Sequence, residues 1–402
     1  MAFLPPPPQS KTRPDIAIFL YGATSGGAPR RALTLAREFA KRGFEVDWVV
    51  ANPDAPLAER VPENVRAVAL DGVVSKWAAL RRRKPLALRA AIPALGRYLS
   101  RENPRVLLSA ANSAHFSAFL AHRISRSGTK LALRICTHLS GGTAGTSRAP
   151  RPVARALARL FVPRADFVIA GSQSVASDLV ALTGIARERV SMVYNPVVDA
   201  TVAERAREAL DHPWFAAGEP PVVLSAGRLV AQKDYPTLLR AFAALRPKLS
   251  ARLVILGEAK KPERRQRLLD VAKELGVADD VDFPGLVANP YAYMARARVF
   301  ALSSAFEGLP GVLIEAMACG CPVVSTDSPG GSSEVLDGGR HGELVPVGDA
   351  EALAGALERS LTSEPDRKAL RERAGAFSVD AGVAATLSAL DLPPSLSSGR
   401  PS

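Results

Sequence analysis

Cysteine is scarce in this chain: three in 402 residues, Cys136, Cys319 and Cys321. Three cannot build a disulfide framework, and Cys319-Gly-Cys321 is too tight for an unstrained bridge, so a reducing compartment is expected. No run of eighteen uncharged apolar residues exists, which removes a membrane-spanning helix from the expectations. The opening MAFLPPPPQSK has no basic stretch followed by an apolar one, and its four consecutive prolines forbid a helix, so it does not read as a signal peptide. His/Cys clusters with metal-ligand spacing are lacking, and no metal or other cofactor is expected. Gly22-Ala-Thr-Ser-Gly26-Gly27 departs from the G-x-G-x-x-G spacing, which disfavours a dehydrogenase.

Apolar residues, in contrast, make up 47% of the chain and charged residues 23%, enough for two sizeable cores. The charge is uneven. Residues 1–200 hold 29 basic and 13 acidic side chains, and residues 201–402 hold 23 and 26. The first half is therefore expected to meet something anionic. Its densest cationic run is Trp77-Ala-Ala-Leu-Arg81-Arg-Arg-Lys84-Pro-Leu-Ala-Leu-Arg89, and Arg148, Arg151, Arg155 and Arg159 form another. Both suit an anionic membrane surface or a lipid-linked acceptor; a solvated basic face is the plainer reading. Neither run interleaves aromatic platforms, so no nucleic acid partner is expected.

Residues 1–13 read as a disordered proline-rich tail. From Asp15, short apolar runs alternate with amphipathic stretches: Asp15–Leu20, a glycine-rich loop over 21–29, a helix from Arg30 to Arg42, then Phe44–Val50. That is a βαβ unit, and such units make parallel sheets. A second series opens at Val222–Ser225. The fold class expected is α/β, with two Rossmann-like doubly wound parallel-sheet domains facing across a cleft. They span 14–205 and 221–378, with a linker over 206–220 and a C-terminal segment over 379–402 whose end is disordered. In open α/β sheets the ligand lies beyond the carboxyl ends of the strands.

Two motifs in the second series carry chemistry. Gly227-Arg228-Leu-Val-Ala-Gln-Lys233 follows a strand directly. Its two cations can converge on one diphosphate, Arg as a fork and Lys as a point charge, or they are two solvated surface residues. Glu307-Gly-Leu309-Pro310-Gly311-Val-Leu-Ile-Glu315 opens a helix, with Glu307 before it and Glu315 one turn inside. The free N–H groups of a helix start suit an anion or a sugar hydroxyl. A carboxylate in an otherwise apolar helix needs hydrogen-bond donors, which a ribose diol offers and a buried ion pair would also supply. In the first half, His138 follows the strand run Leu131–Ile135 and sits where a site residue belongs; a satisfied loop histidine is the alternative. His115 and His122 fall on a helix and read as structural.

Together these residues resemble the retaining glycosyltransferases of family 4, whose architecture is GT-B. The likeness runs from about residue 15 to 375 and is strongest in AGRLVAQKDYPTLLRAFA, in LGE at 256–258, in FEGLPGVLIEAMACGCPVVSTDSPGG and in GRHGELVPVGD. The spacing from Glu307 to Glu315 matches the family's E-x7-E signature. The resemblance implies that Arg228 and Lys233 hold the donor diphosphate, Glu315 the nucleotide ribose and Glu307 the donor sugar. It implies that Leu309, Pro310 and Gly311 cradle sugar and phosphate, that Gly26 and Gly27 belong to the loop that closes over the diphosphate, and that His138 lies near the reacting centre. Where the family continues that loop with Gly-Ala-Glu, this chain has Gly27-Ala28-Pro29-Arg30. The activity implied is transfer of a hexosyl or N-acetylhexosaminyl group from a nucleotide-diphosphate sugar, a UDP-sugar foremost, to a hydroxyl of a sugar or lipid-linked acceptor. Retention of configuration, metal independence, cell-surface polysaccharide or glycolipid synthesis, and a cytoplasmic location at the inner face of the membrane complete the expectation. The alternatives are a sugar-nucleotide epimerase of the same architecture and a non-catalytic GT-B subunit.

Overall fold

The computed structural model describes residues 13–21, 27–51, 61–70, 84–139, 152–259 and 261–393. Two compact units emerge. The first holds the described residues up to 196 together with 380–393, and the second holds 197–379.

The first unit is built on seven parallel strands: β1 (Ile16–Leu20), β2 (Val46–Val50), β3 (Arg66–Ala69), β4 (Val106–Ser109), β5 (Lys130–Ile135), β6 (Phe167–Ala170) and β7 (Val190–Met192). Their order across the sheet is β3-β2-β1-β4-β5-β6-β7. Strands β1, β2 and β4 are buried along their whole length, as strands covered on both faces must be. The helix Gly27–Lys41 starts earlier than the sequence reading, so Gly27 opens a helix rather than lying within a loop. Its buried face carries Ala32, Leu33, Leu35, Ala36 and Phe39, and Gly43 ends the turn with φ +84°. The C-terminal segment contributes a helix over Val379–Ala389, and Val383 and Leu387 are buried. Asp380 at its start pairs with Arg42 at 2.6 Å.

An unforeseen polar network ties the sheet edge to the helix Ile92–Glu102. Asp47 is 2% exposed, accepts two bonds from Arg66 and one from the Tyr98 hydroxyl, and Arg66 bridges on to Glu102 at 2.8 Å. Burial alone would raise the Glu102 carboxyl; hydrogen bonds from Arg66 and Arg101 outweigh it and hold the group below its ordinary 4.5. That contribution to stability is therefore present above the unfolded value and disappears as pH falls through the lowered folded one. Replacing Asp47 by Ala leaves Arg66 on Glu102 alone and strands the buried Tyr98 hydroxyl. We expect a loss of about 3–5 kcal/mol in urea unfolding; a loss under 1 kcal/mol would show the network to be ornamental.

The second unit has six parallel strands, β8 (Val222–Ala226), β9 (Arg252–Leu256), β10 (Val281–Gly285), β11 (Val299–Leu302), β12 (Val323–Thr326) and β13 (Glu343–Val345). The order is β10-β9-β8-β11-β12-β13. The chain runs outward from β8 to β10 and then returns to lay β11 against the other side of β8. The topological switch point thus falls between β8 and β11. The stretch around 212–216, read as linker, is pinned here by aromatic packing: His212 meets Phe215 and Tyr293 edge-on and bonds Asp282 at 3.1 Å. No helix among the described residues is long and apolar enough to cross a membrane.

Candidate active site

The loops that leave β8, β11 and β12 meet at the switch point, and hydrogen bonds stitch them into one frame. Ala305 N–H donates to the Gln232 carbonyl at 2.9 Å, Gln232 Nε2 returns a bond to the Phe306 carbonyl at 2.9 Å, and the Ser303 hydroxyl donates to the Lys233 carbonyl at 2.8 Å. Thr326 Oγ1 donates to the Ser304 carbonyl at 2.6 Å, and Glu307 N–H to the Pro329 carbonyl at 3.1 Å. The result is a rigid rim rather than three independent loops.

On that rim Lys233 Nζ lies 2.6 Å from Glu307 Oε1, which also accepts from the Ser304 hydroxyl at 2.7 Å. Both charged side chains are mostly buried, at 14% and 10% exposure. An ammonium has three donors, and this bond occupies one of them. Tyr235 is buried against the same loop; burial, then the Glu307 charge, push its phenol well up. Arg228 is exposed and has no ion-pair partner among the described residues, so it does not join Lys233 on Glu307.

Glycine makes this close approach feasible. A Cβ built on Gly257 would fall 2.0 Å from the Gly227 carbonyl oxygen, and one on Gly330 would fall 1.9 Å from that of Glu307. Gly227 in turn lies under the Lys233 stem, whose Cε would sit 2.9 Å from a Cβ there.

The helix Gly311–Ala318 begins at the same rim, with Pro310 as its cap residue and no side chain capping it. Leu309 precedes it, packed by its Cα and Cδ1 against Gly331. Glu315 is half-buried one turn in. Its charge is felt by two neighbours: burial and then Glu315 raise Tyr291 to about 12, and the same two causes raise Cys319 to about 12. At the far end Gly320 takes φ +76° beneath the Arg371 guanidinium.

In the first unit, His138 follows β5 at its carboxyl end and its Nε2 is 3.3 Å from the Ser174 hydroxyl. Leu139 N–H donates to Asp178 at 2.7 Å, fixing the turn. His115 is fully buried on Ser109 at 2.8 Å, and burial lowers it to about 3, so it stays neutral. Gly26, the run 77–83, the 141–145 glycines, Arg148 and Arg151 lie outside the described residues, as do residues 1–12 and 394–402.

Sequence reading missed Ser304, Gln232, Gly257 and Gly330, the last three inside stretches it had quoted for other reasons. It also passed over the chain's one Asp-x-Asp, Asp280-Val281-Asp282. In the structure Asp280 is ion-paired with Arg246 and Arg252, and Asp282 is hydrogen-bonded to His212.

The family model for Glycosyltransferase Family 4 matches residues 25–200, and that for Glycosyl transferases group 1 matches 206–376. The chain belongs to the family 4 glycosyltransferases. This glycosyltransferase is 31% identical over 359 residues, 89% of its own length and 93% of the relative's, to a Campylobacter jejuni enzyme named N-acetylgalactosamine-N,N'-diacetylbacillosaminyl-diphospho-undecaprenol 4-alpha-N-acetylgalactosaminyltransferase. It is 25% identical, over 87% of its length and 88% of the other's, to N-acetyl-alpha-D-glucosaminyl L-malate synthase of Bacillus anthracis. Among solved structures, the apo form of the lipopolysaccharide outer core galactosyltransferase WaaB superposes with a TM-score of 0.72 at 20% identity, over 94% of this chain and 98% of that one. Anabaena HepE in complex with UDP gives 0.73 at 20% identity, over 94% and 99%. The fold is accordingly GT-B, as expected, and the Campylobacter relative carries a transferase name, which disfavours the epimerase alternative.

Proposed function

We propose that this glycosyltransferase moves a hexosyl or N-acetylhexosaminyl group from a UDP-sugar to a hydroxyl of a sugar or lipid-linked acceptor, with retention and without a metal, in cell-surface polysaccharide or glycolipid synthesis. The observation that carries the reading is the Lys233–Glu307 contact at the switch point of the second sheet, beside the uncapped start of the helix Gly311–Ala318.

Breaking a sugar–phosphate bond leaves extra negative charge on the departing diphosphate while the sugar becomes oxocarbenium-like, so stabilising the leaving group is the main task. Lys233 has two N–H donors left for phosphate oxygens while its third holds Glu307. Arg228, exposed nearby in sequence, adds a fork, and the N–H groups at the start of the Gly311 helix, with Leu309 and Pro310 before them, add their dipoles. Glu307, held by Lys233 and Ser304, presents its other carboxylate oxygen to sugar hydroxyls. Glu315 takes the ribose diol. Attack comes from the face of the leaving phosphate, whose oxygen accepts the acceptor proton; His138 serves the reacting centre, and Gly26 and Gly27 serve the donor diphosphate. A location at the cytoplasmic face of a membrane follows from a lipid-linked acceptor.

Incubation with UDP-, GDP- and ADP-sugars, with nucleotide release as the readout, tests the donor. Release from a UDP-sugar, undiminished by EDTA, with an axial anomeric product from an axial donor, is the expected result. Release only from a GDP- or ADP-sugar, a need for metal, or an inverted product would each overturn the matching part.

A further inference from the structure

The first turn of the helix Gln173–Thr183 reaches His138 through two serines. Ser172, the N-cap of that helix, is fully buried, and its Oγ accepts from Val175 N–H at 3.2 Å. Ser172 Oγ lies 3.1 Å from Ser174 Oγ, which lies 3.3 Å from His138 Nε2. On either side of His138 the backbone is pinned. Asn112 Nδ2 donates to the Thr137 carbonyl at 3.2 Å and to its hydroxyl at 2.7 Å, and Leu139 N–H donates to Asp178 at 2.7 Å. The ring is thus held in place, and the nitrogen that carries its proton is set by the serines.

A serine has one O–H to give. With Val175 N–H on Ser172 Oγ, the Ser172 O–H needs an acceptor of its own, because a buried hydroxyl left without one is costly. Ser174 Oγ is the acceptor within reach among the described residues. The chain then runs one way: Ser174 accepts from Ser172 and turns its own O–H onto His138 Nε2, the bare nitrogen. A neutral imidazole with Nε2 bare carries its proton on Nδ1. That Nδ1 has no partner among the described residues. Two other histidines are set the opposite way. Trp214 N–H donates to His212 Nδ1 at 3.2 Å, which leaves the His212 proton on Nε2, toward Asp282. His122 Nε2 faces the Thr129 carbonyl at 2.7 Å and donates to it.

We propose that Ser172 and Ser174 are positioning residues that hold His138 as its Nδ1–H tautomer, so that His138 offers the reacting centre a hydrogen-bond donor and no free basic nitrogen. That this donor meets a substrate oxygen rests on the transferase reading above. The proton of the attacking hydroxyl then leaves by another route, which the departing phosphate provides in that mechanism.

The tautomer is read by long-range proton–nitrogen correlation on the histidine-labelled full chain, without donor or acceptor, at about pH 8.5, above the ordinary imidazole range. The His138 pattern is the one that vanishes in His138→Asn. The expected result is a proton on Nδ1 of His138 and on Nε2 of His122 and His212, which serve as internal standards. Ser174→Ala and Ser172→Gly, the latter keeping most of the cap, should each shift His138 toward the Nε2–H form. Each should also lower turnover about threefold to tenfold, the worth of one neutral hydrogen bond. His138→Asn, whose amide N–H can stand in for Nδ1–H, should stay within about tenfold of wild type, and His138→Leu should fall about tenfold below it. A wild type that releases no nucleotide from any sugar while showing Nδ1–H would end the transferase reading alone. A proton on His138 Nε2 in the wild type, a pattern unmoved by both serine variants, or Asn and Leu variants that fold by circular dichroism and fail alike each overturns the proposal.

Discussion

Replacing Lys233 by Ala should cut nucleotide release from the donor sugar by about 10²–10³-fold, the usual loss when one preorganised donor to a developing anion is removed. The proposed mechanism sets two jobs for this side chain. It holds Glu307 at 2.6 Å, and its remaining donors are free for phosphate. Removal leaves Glu307 mostly buried with the Ser304 hydroxyl on the same oxygen, so thermal stability should fall as well, by the kind of margin seen when one partner of a buried pair is lost. The jobs separate in a double-mutant cycle. If Lys233 acts on the diphosphate, its removal still costs at least tenfold in a Glu307→Gln background; if it only positions Glu307, the second loss vanishes. Kinetics must be run where circular dichroism shows the variant folded. A Lys233→Ala enzyme within threefold of wild type would end the leaving-group argument.

Much of this arrangement was legible in the residues. Strands such as Ile16–Leu20 and Val222–Ala226 are unbroken apolar runs, which a sheet covered on both faces demands, and the alternation with helices dictated parallel pairing. Glu307 and Glu315 could be positioned because Pro310 and Gly320 bracket a helix of defined length. What escaped depends on partners far away in sequence. β3 reads Arg66-Ala-Val-Ala69 and β7 reads Val190-Ser-Met192; both are too short and polar to signal a strand, and they form only because β2 and β6 offer open edges. Asp47 gives no hint on its own strand that Arg66 and Tyr98 will enclose it. The Lys233–Glu307 pair joins residues 74 apart, and nothing in either motif announces that the cation expected on a phosphate already holds a carboxylate. Gly27 was read as loop because Gly22 and Gly26 precede it and Pro29 follows, yet the tertiary packing of Ala32, Leu33 and Phe39 pulls the helix start back to it.

Gly330 is where one added methyl group should do most harm. Its backbone takes φ +134°, which side chains rarely adopt, and a Cβ there would fall 1.9 Å from the Glu307 carbonyl oxygen and 2.6 Å from its carbon. Those are backbone atoms, so no rotamer change relieves the clash; the Pro329–Gly331 turn or the Phe306–Gly308 segment must move. The second option breaks the bond from Glu307 N–H to the Pro329 carbonyl and swings the carboxylate away from Lys233. Neighbouring Gly331 is also blocked, by the Gly308 carbonyl at 2.7 Å, so the turn has no slack on that side. We expect Gly330→Ala to lose about 3 kcal/mol or more of stability, in the range of overpacked sites, and about 100-fold in turnover where it still folds. Gly338→Ala is the control. It also sits at positive φ, +66°, but a Cβ there meets nothing within 4 Å, so it should cost only the backbone penalty of about 1 kcal/mol and leave turnover intact. Equal effects at the two positions would mean that glycine's conformational freedom alone matters and that the contact with Glu307 does not position the carboxylate. A loss confined to Gly330, with the donor KM raised along with the fall in kcat, would tie the turn after β12 to the chemistry of the loop after β11.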